Sequence, residues 1–70
     1  MFKNGSGVAQ SDVEAVRWFR KAADQSYADA QYVLGLMFRI GCGVNQSDTE
    51  AARWFKKAAD QGHAEAKRRL

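Results

Sequence analysis

Proline is absent, cysteine and histidine occur once each, and no apolar run approaches the ~18–20 residues of a membrane-spanning helix. Each shortage removes an architecture. Cys42 has no partner in the chain, so an intrachain disulfide and a multi-cysteine metal site are both excluded. No cofactor and no metal are expected. Neither a basic-then-apolar leader nor a spanning segment is readable, which makes the cytoplasm the expected compartment and leaves no role for a membrane. A chain of 70 residues buries only about 60% of its unfolded surface. Its core must therefore be built economically.

What is plentiful is helix-forming: Ala, Lys, Arg, Gln and Leu, with glycines gathered mainly at Gly5, Gly7, Gly41, Gly43 and Gly62. Eleven basic residues stand against eight acidic ones. That balance is too mixed to imply nucleic acid without help from the pattern.

The pattern is a repeat. Ser11 aligns with Ser47, Trp18 with Trp54 and Asp24 with Asp60, an offset of 36 that maps Met1–Leu34 onto Met37–Leu70 with 21 of 34 pairs identical. Such a period signals a solenoid of stacked supersecondary units. The chain reads as one all-α repeat domain over 1–70, with units at 1–36 and 37–70 and helices near 12–24, 28–39, 48–60 and 64–70.

Helix starts are marked by the capping boxes Ser11–Glu14 and Ser47–Glu50, in which serine and glutamate each accept from the other end's amide. Apolar residues then fall at 15, 18, 19, 22 and 23, and at 51, 54, 55, 58 and 59, one stripe of an amphipathic helix in each case. This Trp-Phe-Ala stripe predicts core. Gly62 suits the left-handed position after the later helix, whereas Ser26 holds that position after the earlier one at a small cost. Between the two Trp-Phe helices, Tyr27, Ala30, Val33, Leu34, Met37, Phe38 and Ile40 cover one broad side of a third helix. Ala28 and Gly35 form a narrow patch without bulk on another side. A helix apolar on more than one side is sandwiched, and Gly35 predicts close approach of a neighbour, under a large indole ring. The loops Asn4–Gln10 and Ile40–Gln46 each carry two glycines and a valine, Val8 or Val44, which predicts chain reversal with an apolar anchor.

A Gly-x-Gly-Val loop (Gly41, Gly43, Val44), a helix bearing Ala51, Trp54, Lys57, Ala58 and Ala59, then Gln61, Gly62, Ala64 and Ala66, closely resembles the Sel-one-like repeat. Ala28, Ala30, Gln31, Leu34 and Gly35 supply the other helix of the unit. The family is related to the tetratricopeptide repeats. The resemblance implies a right-handed α-solenoid that serves as an adaptor or scaffold for protein complexes, and it implies no chemistry. Members usually carry several units and include secreted and periplasmic proteins. Here the first helix of the first unit is almost wholly missing, and "KRRL" replaces "QYVL" in the last helix, which suits a solvated cap.

In tetratricopeptide-like arrays the first helix of each hairpin lines the concave surface, which points to the helix from Ala28 to Arg39. Asp29, Tyr32, Leu36 and Arg39 fall together on its remaining side, with Val33 at the margin. Tyr32 and Leu36 would anchor a peptide or protein partner that Asp29 and Arg39 orient. The competing reading is that Tyr32 and Leu36 pack on an adjacent helix. The uncapped N-terminal side of the first Trp-Phe helix offers a possible homodimer surface.

Other candidates are weaker. Cys42 and His63 flank a helix of about 12 residues, hence lie ~18 Å apart, so a dyad between them is nearly excluded and no enzyme is expected. Cys42 reads as an exposed thiol, His63 as a turn residue packed on the hairpin. Arg17, Arg20 and Lys21 recur as Arg53, Lys56 and Lys57, a ladder that could follow nucleic acid phosphates. Glu14, Asp24, Glu50 and Asp60 share that side and no exposed aromatic interleaves, so a solvated face is the preferred reading.

Overall fold

The computed structural model describes the backbone of residues 6–70 and the side chains from Asp12 onward. Among the described residues four helices follow one another: α1 (Ser6–Asp24), α2 (Ala28–Ile40), α3 (Asp48–Asp60) and α4 (Ala64–Arg69). Each packs on its neighbour in sequence, and the α2–α3 interface is the largest. The architecture is an all-α helical repeat solenoid.

The first unit departs from expectation at its start. Ser11 does not cap a helix, because α1 runs unbroken from Ser6 and absorbs much of the predicted loop. The same motif behaves as anticipated in the second unit, where Ser47 Oγ accepts the Glu50 amide at 3.2 Å. Glu50 itself turns to Arg53 at 3.2 Å, so the box closes by one arm only. Context explains the contrast. The loop after α2 is shaped by carbonyls of that helix: Gly41 and Cys42 amides donate to the Met37 carbonyl at 2.8 and 2.9 Å, and the Ser47 amide to that of Phe38 at 2.8 Å. The counterparts of Met37 and Phe38 are Met1 and Phe2, which lie outside the described residues. Extending an existing helix satisfies each amide at lower cost than nucleating a new one. Val8 falls outside the described side chains, whereas Val44 packs half-buried on the core as anticipated.

Both hairpin turns close alike. After α1 the Ser26 amide donates to the Ala23 carbonyl and the Tyr27 amide to that of Ala22, at 2.9 and 3.3 Å. After α3 the Gly62 and His63 amides repeat this with Ala59 and Ala58, at 2.8 and 3.2 Å. This is the Schellman closure, which needs a left-handed residue after the helix. Gly62 takes φ +88 with open space where a Cβ would stand, whereas Ser26 must adopt φ +70 with its side chain present.

Val16 and Ala23 of α1, Ala30, Leu34, Met37 and Phe38 of α2, and Ala51 and Phe55 of α3 form the main buried cluster. α2 is thus sandwiched, as its two apolar sides predict. A second cluster of Ala58, Ala59 and Ala66 joins α3 to α4, and Ala28 and Tyr32 of α2 pack against it. Gly35 sits where a Cβ would lie 2.7 Å from the Phe55 ring and 3.2 Å from the Ala51 carbonyl oxygen. The close approach is real, but the ring is Phe55 and not an indole. The stripe also needs correction: Trp18 is 69% exposed and Trp54 is half-buried. Tyr27 and Ile40, placed on the broad apolar side of α2, are 60% and 72% exposed because each stands at an end of the helix.

Two glycine-related substitutions should move stability in opposite directions. Ser26→Gly relieves a left-handed side chain and should stabilise by about 0.5–1 kcal/mol. Gly35→Ala, favourable by propensity in an isolated helix, should destabilise by about 1–3 kcal/mol because Phe55 is buried and held. Thermal melts of both variants check the signs.

Candidate functional site

α2 carries all five residues singled out for partner binding, and the structure distributes them over different surroundings. Tyr32 sits at the meeting of α2, α3 and α4. Its ring lies 5.8 Å from Phe55, stacks on His63 at 4.8 Å with 25° between planes, and has the Arg69 guanidinium carbon 5.9 Å from its centroid. Asp29, in the first turn of α2, accepts a bond from His63 Nε2 at 2.8 Å while remaining exposed. Val33 lines an open groove with Phe19, Ala22 and Tyr27, which Asp29 also borders. Leu36 is half-buried against the main cluster. Arg39 is exposed beside a smaller groove of about 220 Å³ bordered by Asp48, Ala52, Phe55 and Arg69.

His63 is the joint between Asp29 and Tyr32. Its Nδ1 accepts the Ala66 amide at 3.1 Å and so caps α4, which leaves the proton on Nε2 to be donated to Asp29. One neutral tautomer satisfies both bonds. The expected packing of His63 on the hairpin is present, and its bridge to Asp29 is additional.

Gln31, named above only as a match to the repeat and given no role, is 4% exposed. Its Nε2 donates to the Ala23 carbonyl at 3.2 Å and its Oε1 accepts from Gln61 Nε2 at 2.9 Å, tying α2 to the ends of both α1 and α3. A buried amide with both functions satisfied fixes relative helix position. The recurrence of Gln25 as Gln61 was the available signal.

The cationic face differs from expectation in one respect. Lys21 Nζ lies 5.6 Å from the Trp18 ring centroid and Lys57 Nζ 4.7 Å from that of Trp54, so aromatics do border the basic rows. Arg20 approaches the Phe38 ring at 6.0 Å and Arg53 pairs with Glu50. These cations engage rings and carboxylates of the same chain, an ordinary use of exposed charge. At α4, Arg68 pairs with Glu65 at 3.1 Å.

Cys42 is half-buried on the core, not freely exposed. Burial and the neighbouring Asp12 carboxylate both push its thiol above the usual range. Among the described residues no cluster of His, Cys, Asp and Glu side chains is placed to share a metal, and no helix is long and apolar enough to cross a membrane.

The Sel1 repeat family model matches residues 1–27 and 28–63, with the break falling just before α2. The chain belongs to the Sel1 repeat family. A crystal structure of a Sel1 repeat protein from Oxalobacter formigenes superimposes with a TM-score of 0.81 at 42% identity, covering 81% of this chain and 24% of that one. This Sel1 chain therefore spans about a quarter of that relative's length. No curated protein matches it. Sel1 repeats are generally protein-interaction modules of a non-enzymatic scaffold type.

A depressed thiolate fraction has a measurable consequence. At neutral pH Cys42 should alkylate with iodoacetamide more slowly than free cysteine, with the rate still rising at pH values where an ordinary thiol has levelled off. Asp12→Asn removes a negative charge that disfavours the thiolate, so it should shift the profile to lower pH.

Proposed function

We infer that the chain is a protein-interaction module that takes a peptide or protein partner on the concave helix face at α2, with Asp29, Tyr32, Leu36 and Arg39 as its contact residues and Val33 at the margin. The observation that carries this reading is the immobilised Tyr32. A ring clamped between Phe55 and His63 pays little entropy on binding and can serve as a fixed anchor. Leu36 extends the apolar strip one turn along, and Arg39 offers an exposed cation next to the groove bordered by Phe55. Asp29 places a carboxylate at the opposite end, so a bound segment of defined polarity meets unlike charges at its two ends. Membership of a family of interaction modules supports the reading.

Tyr32 also holds three helices together, so substituting it confounds binding with folding. Leu36→Ser and Arg39→Glu are cleaner. Against peptides selected for binding from a displayed library, each should weaken affinity by about tenfold or more; Arg39→Glu should move the melting temperature by only a few degrees, and circular dichroism should show that Leu36→Ser, half-buried on the core, keeps the helical fold. Selected peptides that bind both variants as tightly as the parent chain would place the partner surface elsewhere.

A further inference from the structure

Arg39 in the last turn of α2 and Arg69 at the end of α4 line the same groove of about 220 Å³, and Ala51, Ala52 and Phe55 of α3 supply its apolar wall. Both arginines are exposed, and among the described residues neither is held in an ion pair. Neighbouring cations are engaged: Arg53 by Glu50, Arg68 by Glu65 and Lys57 by the Trp54 ring. Asp48 also borders the groove, but its Oδ1 already accepts from Gln46 Nε2 at 2.8 Å, and it stands in the first turn of α3, where helix amides offset a negative charge. Two cations against one engaged carboxylate leave the groove positive.

A basic end on α4 has a simpler use, because cations suit the last turn of any helix. That use explains the run of cations but not the direction of Arg69, which turns back over the Tyr32 ring and into the groove. Nor is this cation a by-product of repetition. The same place in the preceding unit is Val33. The groove thus joins a cation of α2 to one that only the second unit carries, beside a ring already held between Phe55 and His63.

We propose that this groove is an acidic-residue subsite, in which a glutamate side chain of the partner segment places its carboxylate between the Arg39 and Arg69 guanidiniums and its methylenes against Ala52 and Phe55. The proposal rests on the reading that a peptide lies on the concave face at α2, and it adds the chemistry of that peptide. Guanidinium matches carboxylate by paired, charge-assisted hydrogen bonds, and the apolar wall favours the longer stem of glutamate over aspartate. Arg39 follows Tyr32 by seven residues, about 10 Å along the helix. An extended peptide covers that distance in about three residues. The partner therefore carries an apolar residue for Tyr32 and Leu36 and an acidic one about three positions away.

The probe is a set of synthetic peptides with amidated C-termini, taken from a displayed random library selected on the full chain, with affinity read by fluorescence anisotropy. The selected sequences should share the apolar and acidic pair. Changing the acid to its amide should weaken binding by about tenfold or more, and so should Arg69→Gln, an exposed substitution outside the contact residues of the underlying reading. The two losses should not add, since either change breaks the same pair. Circular dichroism should show that Arg69→Gln keeps its helices. Leu36→Ser separates the two levels. Loss with that variant while Arg69→Gln binds like the parent chain leaves the α2 surface standing and overturns the subsite, whereas coupling of Arg69 to the acid with Leu36→Ser silent keeps the subsite and removes the apolar strip. Losses that add, selected peptides without acidic residues, or a selection yielding no saturable binder would overturn the proposal.

Discussion

Everything in this chain hangs on how near α2 can come to α3. Gly35 removes the one side chain that would hold the helices apart, and Phe55 fills the space so made. Once the backbones are that close, Tyr32 falls between Phe55 and His63, the Gln31 and Gln61 amides reach each other, and Ala58 and Ala66 suffice as packing partners. Lengthen that distance and each of these contacts fails together. A small chain has few large buried side chains to spare: among the described residues only Leu34 of the larger ones is completely enclosed. Close approach of alanine-lined surfaces replaces bulk, which is a reasonable solution where surface is high relative to volume.

Two units of nearly the same sequence also act as internal controls on environment. Trp18 and Trp54 occupy the same place on α1 and α3, each with a lysine over the ring, yet only Trp54 packs against the main cluster. The difference is the neighbour that lies behind the helix, since α3 has earlier helices to lean on. Ser11 and Ser47 make the same point for local structure. An identical Ser-Asp-x-Glu motif caps one helix and is swallowed by another, because a cap forms only if the preceding chain is steered away from the helix axis. Local signals in a repeat protein are conditional on the adjacent unit.

That conditionality sets what could be read from the residues. Helix number, both hairpins, the left-handed positions at Ser26 and Gly62 and the close approach at Gly35 were legible, since each rests on backbone chemistry or on a periodicity of 3.6. The identity of the ring over Gly35 was not, because adjacent Trp54 and Phe55 differ by only 100° around α3 and the crossing geometry decides between them. Trp18 was misplaced for a related reason: apolar character predicts burial only where a partner surface exists. The wheel set the five residues of α2 side by side by angle, but angle alone does not reveal that Tyr32 meets α4, that Val33 opens onto α1 or that Asp29 engages His63. Gln31 stood only as a match to the repeat, and its bridging role was not legible because its two partners come from different helices.

The lysine-over-tryptophan arrangement bears on what the basic face is for. A nucleic-acid surface needs cations free to meet phosphates and rings free to stack on bases. Here Lys57 and Trp54 lie over each other, Arg20 leans on Phe38 and Arg53 is paired, so these rings and charges already have partners within the chain. Aliphatic lysine stems laid across indoles also shield apolar surface from water. That is what a solenoid requires of the helix edge that neighbouring units leave partly exposed. The ladder of cations follows from repeating one amphipathic helix, and its regularity reflects the period of the fold before it reflects any ligand.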